Sequence, residues 1–189
     1  WVPGHHHMAR QGLKDSRDAA MAYIRAASPD GWHNREEPLW AAFVDHAPEM
    51  LKFVEAHSPT RFNPNRDPDP YAEAPGGMAW GRNISAAPIR IGQLGPWRGK
   101  IRTPTSDVRL SYEEIVDTFL FAAPKKNVIR FLPHLIWRKL TGARTRGTAL
   151  TIGLLKGCLD HGVEIWSETS ALRLLTDDVG VTGLEAECG

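Results

Sequence analysis

A chain of 189 residues with 42% apolar content can bury one sizeable core or two small ones. Its formal net charge of +1 gives no global sign of nucleic-acid binding and no acidic tail. Two cysteines exclude a disulfide framework, no run approaches the roughly eighteen apolar residues of a membrane span, and no secretory signal is visible, so a cytoplasmic location is expected.

His5-His6-His7-Met8 has the composition of a tag end before an initiator Met. Three adjacent histidines near a flexible end seldom converge on one ion, so no metal site is expected. Asp15-Ser-Arg-Asp18 caps a helix with Ala19, Ala20, Tyr23, Ile24 and Ala27 on one face, and Pro29-Asp-Gly31 ends it. Leu39, Trp40, Phe43 and Val44 mark a second helix. Pro48, at a first-turn position, starts a third with Met50, Leu51, Phe53 and Val54. Their helical spacing reads as a core stripe.

Eight of the fourteen prolines fall between Pro59 and Pro104, so regular structure must be sparse there. The same stretch holds Tyr71, Trp80, Ile84, Ile89, Ile91, Leu94 and Trp97, too much apolar mass for a solvated linker. An ordered long loop with short strands is expected, Ile89-Arg-Ile91 among them. Such loops line sites. Ser111-Tyr-Glu-Glu114 is a capping box opening a helix through Ile115, Val116, Phe119 and Leu120, which Pro124 interrupts. Arg130 to Leu140 is a further helix, and Gly142 to Gly147 a joint.

Between Asp117 and Asp160 there is no acidic side chain, while Lys125, Lys126, Arg130, Arg138, Lys139, Arg144, Arg146 and Lys156 are present. A solvated face, or a patch facing an acidic domain, is favoured over a polyanion-binding module. No nucleic-acid partner is expected.

Arg146-Gly147-Thr-Ala-Leu150 opens an apolar helix that Gly162 stops. Leu150, Leu154 and Cys158 share a face, with Cys158 a small core residue. Gly153 and Gly157 let the helix approach a sheet closely. Val163 to Trp166 reads as a short strand, then Ser170 to Leu175 and Val181 to Ala186 as a hairpin around Thr176 to Gly180. Helix, strand and hairpin form part of a dinucleotide-binding α/β layer, yet no G-x-G-x-x-G lies in these residues. The chain therefore reads as an internal piece of a cofactor enzyme.

Tyr71, between Asp69, Glu73 and Gly76-Gly77, could donate a proton or polarise a carbonyl, or simply pack. The glycines tip this toward function, because flexible backbone admits a flat ligand. Arg82 and Asn83 could bind a carboxylate or tie the loop. Cys158 and His161 have the spacing of two metal ligands, with no second pair near in sequence.

Arg146-Gly-Thr-Ala-Leu150, His161-Gly-Val-Glu-Ile165, Thr169-Ser-Ala171 and Gly180-Val-Thr-Gly183 together resemble the inner part of the fumarate reductase/succinate dehydrogenase flavoprotein superfamily. Tyr71-Ala-Glu-Ala-Pro-Gly-Gly77 with Gly81-Arg82 resembles a loop of its 3-ketosteroid Δ1-dehydrogenase branch. Trp1-Val-Pro3, Met8, Asp15-Ser16 and Ala22-Tyr-Ile24 resemble the same branch just after its flavin-contacting glycines. Pro3 and Met8 fall on family positions, so the histidines read as native. His5 departs from the branch's usual Asn, and Pro70 from a frequent tyrosine.

The resemblance implies an α/β fold, α+β in its cap portion, and a fragment of a two-lobe FAD-dependent oxidoreductase. Residues 1–144 would run from the flavin edge through helices and substrate-site loops, and 145–189 would be a partial FAD-binding domain. It implies FAD as cofactor, with Pro3 and Gly4 near the flavin and Ala171 against adenine. It implies dehydrogenation next to a carbonyl: Tyr71 as acid polarises the ketone, a base takes the adjacent proton, and hydride leaves to the flavin. The implied partners are an apolar ketone and the remainder of the same flavoprotein chain. An enzyme acting on a polar acid, as fumarate reductases do, would instead need converging arginines, for which Arg82 and Arg90 are the candidates.

Overall fold

A computed structural model of the protein describes residues 1–102, 104–105, 109–116, 118 and 124–189. The chain divides into two compact units, Trp1–Cys158 and Leu159–Gly189.

The first unit opens with α1 (His6–Arg10) and α2 (Arg17–Ala27). Ser16 caps α2: its Oγ accepts from the Ala19 N–H at 3.1 Å. One continuous helix, α3 (His33–His57), follows where two were expected, running through Pro38 and Pro48. A mid-helix proline costs about 3 kcal/mol. Burial of Val44, Ala47 and Leu51 on both sides of Pro48 offsets that, at about 1.5–3 kcal/mol per large side chain.

Two clusters form the core around α3. Ala20 and Met21 of α2 meet Val44 beneath Trp1 and Trp40. Val2 meets Ala47 and Leu51 beside Phe62 and Ile84. The expected core stripe is therefore only partly right. Leu39, Phe43, Met50 and Phe53 are exposed, because the 3.6-residue period sets them on a different face from Val44, Ala47 and Leu51.

The proline-rich stretch is ordered as expected. Strands β1 (Phe62–Pro64) and β2 (Ile84–Ala86) pair antiparallel, Phe62 opposite Ala86. They close off residues 65–83 as a loop carrying Tyr71. Strand β3 (Ile89–Arg90) is followed by a 3-10 run, Ile91–Lys100. In α4 (Tyr112–Val116) the capping box is reciprocal: Ser111 N–H donates to Glu114 Oε2 at 2.8 Å, and Glu114 N–H to Ser111 Oγ at 3.3 Å. Phe119 and Leu120 lie outside the described residues. Helix α5 (Pro124–Thr141) contains the helix expected from Arg130 to Leu140 and begins earlier, at Pro124 itself. Arg138 ties it to α4 through both Glu114 oxygens, at 2.6 and 3.0 Å. Strand β4 (Ala143–Arg144) then pairs antiparallel with β3.

Helix α6 (Arg146–Asp160) buries Ala149, Ile152, Gly153 and Gly157. Its inner face is not the expected one, and Leu154 and Cys158 are exposed. The two glycines set the packing. A Cβ on Gly153 would sit 2.1 Å from Thr60 Oγ1, and one on Gly157 2.7 Å from Ser58 Cβ. The close approach is to the segment after α3, not to a sheet.

In the second unit, β5 (Thr169–Thr176) and β6 (Val181–Cys188) form the expected antiparallel hairpin. Asp177 Oδ1 holds the turn by accepting from the N–H groups of Val179 and Gly180, at 2.8 and 3.0 Å. Residues 163–166 are not a strand. A strand needs a neighbour for its ladder, and the described residues offer that segment none. The described secondary structure is thus mixed α and β, with helices and three small antiparallel sheets. No helix among the described residues is long and apolar enough to cross a membrane.

Candidate active site

Arg82 is the largest fully buried side chain among the described residues, and it is bonded to both ends of the Tyr71 loop through Asp69 and Gly76. Its Nε and Nη2 donate to the two oxygens of Asp15, at 2.9 and 2.6 Å. Its Nη1 donates to Asp69 Oδ2 at 3.0 Å and to the Gly76 carbonyl at 2.8 Å. The guanidinium also lies 5.2 Å from the Trp1 ring centroid and 5.7 Å from that of Tyr23.

Both carboxylates have further donors. Asp15 accepts from the N–H of Gly4 and of Ser16, each at 2.9 Å. Asp69 accepts from Trp1 Nε1 at 2.7 Å and from the Met78 N–H at 3.0 Å. Burial pushes the Asp15 carboxyl up, but the Arg82 hydrogen bonds and the Gly4 N–H outweigh it and hold the group below the usual carboxylate range. Burial likewise opposes the Arg82 charge, and Asp15 and Asp69 more than restore it.

This hub pins three sequence-distant pieces: the first four residues, the start of α2, and the loop from Asp69 to Met78. The loop closes at its neck, where the Asp69 N–H donates to the Met78 carbonyl at 2.9 Å. Tyr71 stands at its rim, 56% exposed, with a turn bond from the Ala74 N–H to its carbonyl. Gly76, at φ 77°, is present for packing: a Cβ there would lie 2.0 Å from the Ala19 carbonyl oxygen. Gly77 similarly crowds Ala72, at 2.5 Å from its carbonyl. The sequence argument that these glycines leave room for a ligand is replaced by close approach to α2 and to the loop itself.

The structure ties Gly4 into this network through its N–H to Asp15 and leaves its α-carbon open. Pro3 is buried, whereas Gly4 is exposed at φ 60° with nothing within 4 Å of where a Cβ would be. Ala171 lies in the second unit, exposed on β5 opposite Ala186. The histidines are folded parts of the protein. His5 is 1% exposed and its Nε2 donates to the Gly81 carbonyl at 2.8 Å, while burial pushes its pKa down. His6 and His7 both meet Glu55.

The two candidate arginines do not converge on one site. Arg82 is saturated by Asp15 and Asp69, and Arg90 lies over the Trp137 ring, 5.7 Å from its centroid.

A cleft of about 330 Å³ opens between β1, β2 and the start of α6, and sequence reasoning missed two residues in it. Tyr112 donates to Asp67 Oδ2 at 3.2 Å there, beside Asn65, Asn83 and Arg146. Burial and the Asp67 charge push the Tyr112 hydroxyl up. Tyr112 read only as the second residue of a capping box, and 45 residues of sequence separate it from Asp67. Nothing local signals that pairing.

Exposed glycine backbone beside a buried proline, on a segment held from behind by Asp15, is compatible with the edge of a bound planar ring. The chain belongs to the FAD binding domain family, whose sequence profile matches residues 1–188. It is related to the 3-ketosteroid dehydrogenases. A 3-oxosteroid 1-dehydrogenase of Mycolicibacterium smegmatis is 28% identical over 97% of this chain and 34% of its own length. A 4-oxocyclohexanecarboxylate 2-dehydrogenase of Sinomonas cyclohexanicum is 30% identical over 100% of this chain and 33% of its own. The chain is also similar to the crystal structure of 3-ketosteroid Δ1-dehydrogenase from Sterolibacterium denitrificans in complex with 1,4-androstadiene-3,17-dione. Its TM-score is 0.79 at 25% identity, covering 100% of this chain and 36% of that one. The chain thus spans about a third of the length of these relatives.

Proposed function

We infer that the complete protein is an FAD-dependent oxidoreductase that dehydrogenates a carbon–carbon bond next to a ring ketone, in the manner of a 3-ketosteroid Δ1-dehydrogenase. The observation that carries this reading is the Arg82 hub. It fixes the Tyr71 loop and the Pro3-Gly4 segment to one buried cation, through Asp69 and Asp15. In this reading Pro3 and Gly4 edge the flavin, Ala171 contacts adenine, and residues 145–189 belong to the FAD lobe. When bound, FAD supplies a hydride acceptor. Tyr71 donates a hydrogen bond to the substrate carbonyl and so raises the acidity of the adjacent C–H. The pinned loop holds that hydroxyl in place without reordering on binding.

The substrate is an apolar ring ketone. Engagement of Arg82 by Asp15 and Asp69 argues against a fumarate-like reaction, which would need converging arginines free to reach carboxylates. Of the basic stretch, Arg138 is withdrawn from a polyanion-binding face by its pairing with Glu114. The test is turnover by the complete protein of a 3-ketosteroid, of 4-oxocyclohexanecarboxylate and of fumarate, with an artificial electron carrier. Turnover of either ketone supports the reading. Fumarate reduction with neither ketone turned over would end it.

A further inference from the structure

Two histidines at the start of α1 turn to a single carboxylate far along the chain. His6 Nε2 lies 2.9 Å from Glu55 Oε2, and His7 Nε2 lies 2.9 Å from Glu55 Oε1. The two imidazole rings are 4.0 Å apart, tilted by 40°. One ligand atom from each of the three residues falls within 4.8 Å of the others, the one such grouping of His, Cys, Asp and Glu among the described residues. We propose that His6, His7 and Glu55 bind a divalent transition-metal ion of the zinc class, with water completing its coordination. This site is independent of the dehydrogenase reading.

The donor set and its spacing both fit. Zinc takes imidazole nitrogen and carboxylate oxygen at about 2.0–2.2 Å, which puts neighbouring ligand atoms about 3.3 Å apart in a tetrahedron. The two 2.9 Å pairs use different oxygens of Glu55, so a carboxylate binding through one oxygen draws the other imidazole toward it, within the 4.8 Å that spans the three ligand atoms. The carboxylate is oriented from behind, since the Phe62 N–H of β1 donates to Glu55 Oε1 at 3.0 Å. Such outer contacts fix a ligand before the ion arrives. Side-chain exposures of 23%, 13% and 12% for His6, His7 and Glu55 leave one side open to solvent. Ion entry and bound water are therefore possible without unfolding.

The tautomer exchange is inexpensive at His6. With Nε2–H donating to Glu55, its Nδ1 is buried and has no partner. Moving the proton to Nδ1 frees Nε2 for the metal and breaks no bond at Nδ1. Two imidazoles and one carboxylate are a donor set that suits a divalent cation of this class. The bound ion would join α1, which directly follows the Pro3-Gly4 segment, to the last turns of α3.

The experiment uses the complete protein, purified without a histidine tag, stripped with a chelator, and titrated first with Co²⁺ and then with Zn²⁺. We expect one equivalent bound, a visible Co²⁺ spectrum, and displacement by Zn²⁺. His6→Asn and Glu55→Gln should each weaken binding at least roughly tenfold, comparable to or more than the loss of an outer-shell partner. His6→Cys should retain binding and add thiolate-to-cobalt absorption in the near ultraviolet, a readout that a folding defect does not mimic. Cys158→Ser with His161→Ala should leave binding unchanged. Absence of saturable binding, or equal binding by the His6→Asn and Glu55→Gln proteins, would overturn the proposal. So would loss of binding only in the Cys158/His161 variant.

Discussion

Replacing Arg82 by methionine keeps the aliphatic stem and removes every guanidinium N–H donor from the hub. Four hydrogen bonds disappear: two to Asp15, one to Asp69 and one to the Gly76 carbonyl. Two carboxylates, each 1% exposed, then lose their cation. Breaking one buried pair costs about 3–5 kcal/mol, because the remaining charge stays desolvated. The second loss adds less than the first, since Asp15 keeps the Gly4 and Ser16 N–H groups and Asp69 keeps Trp1 and Met78. A destabilisation of about 3–5 kcal/mol is a large part of the roughly 5–15 kcal/mol of a whole domain. Urea unfolding of the complete protein at neutral pH, followed by tryptophan fluorescence, measures it. Adding Asp15→Asn and Asp69→Asn to Arg82→Met should recover about half the loss or more, because the stranded charges are then gone. An Arg82→Met protein within about 1 kcal/mol of wild type would refute the argument that buried charge pairing holds this loop.

For Tyr71→Phe, kcat of the complete enzyme should fall roughly tenfold to ten-thousandfold with flavin content unchanged, as for loss of an acid or oxyanion contact; single-turnover flavin reduction checks this, and an unchanged rate removes Tyr71 from the reaction. Gly76→Ala should destabilise by at least about 1–3 kcal/mol, since it combines a positive φ with a Cβ placed on the Ala19 carbonyl, and a denaturation midpoint reads it out. Acid should unfold the protein in part through Asp15 and Glu114, whose folded pKa values are depressed by Arg82 and by Arg138 against the opposing effect of burial. Their contribution is complete above the unfolded values of 3.8 and 4.5 and is lost as pH falls through the lower folded values. Urea midpoints between about pH 5 and about pH 2 should show the decline, and Glu114→Gln should flatten its share.

Local chemistry was legible and long-range partnership was not. Ser16, the Ser111–Glu114 box, the Asp177 turn and Gly162 each act within a few residues, and each is where its neighbours indicate. The α3 helix was misread because a proline in sequence signals a helix start, and only tertiary burial of Val44, Ala47 and Leu51 shows that the helix continues through it. The inner face of α6 was misassigned for a related reason. Leu150, Leu154 and Cys158 are the larger side chains, yet the packing partners are Ser58 and Thr60, which come too close for any residue but glycine at 153 and 157. Arg82 illustrates the limit at the site. An arginine after a Gly-rich loop has the same appearance whether it awaits a substrate or is buried on Asp15, 67 residues away.

The same hub bears on how Tyr71 is to be understood. If its role were to pack within a proline-rich loop, its ring would be covered, as Trp1 is between Tyr23 and Phe43 at 5.6 and 6.1 Å. Instead the loop is held by Asp69, Gly76 and Met78, none of which needs the Tyr71 side chain, and the ring is 56% exposed among the described residues. Proline at position 70 restricts the neighbouring backbone further. The loop's conformational entropy is thus already lost in folding, through contacts on its far side. A hydroxyl displayed on such a platform meets a ligand without an added ordering cost, which is the physical condition that the proposed acid role requires. A loop stabilised by Tyr71 itself would lose order on Tyr71→Phe or Tyr71→Ala. One stabilised by Arg82 would keep its fold in both, and would lose rate.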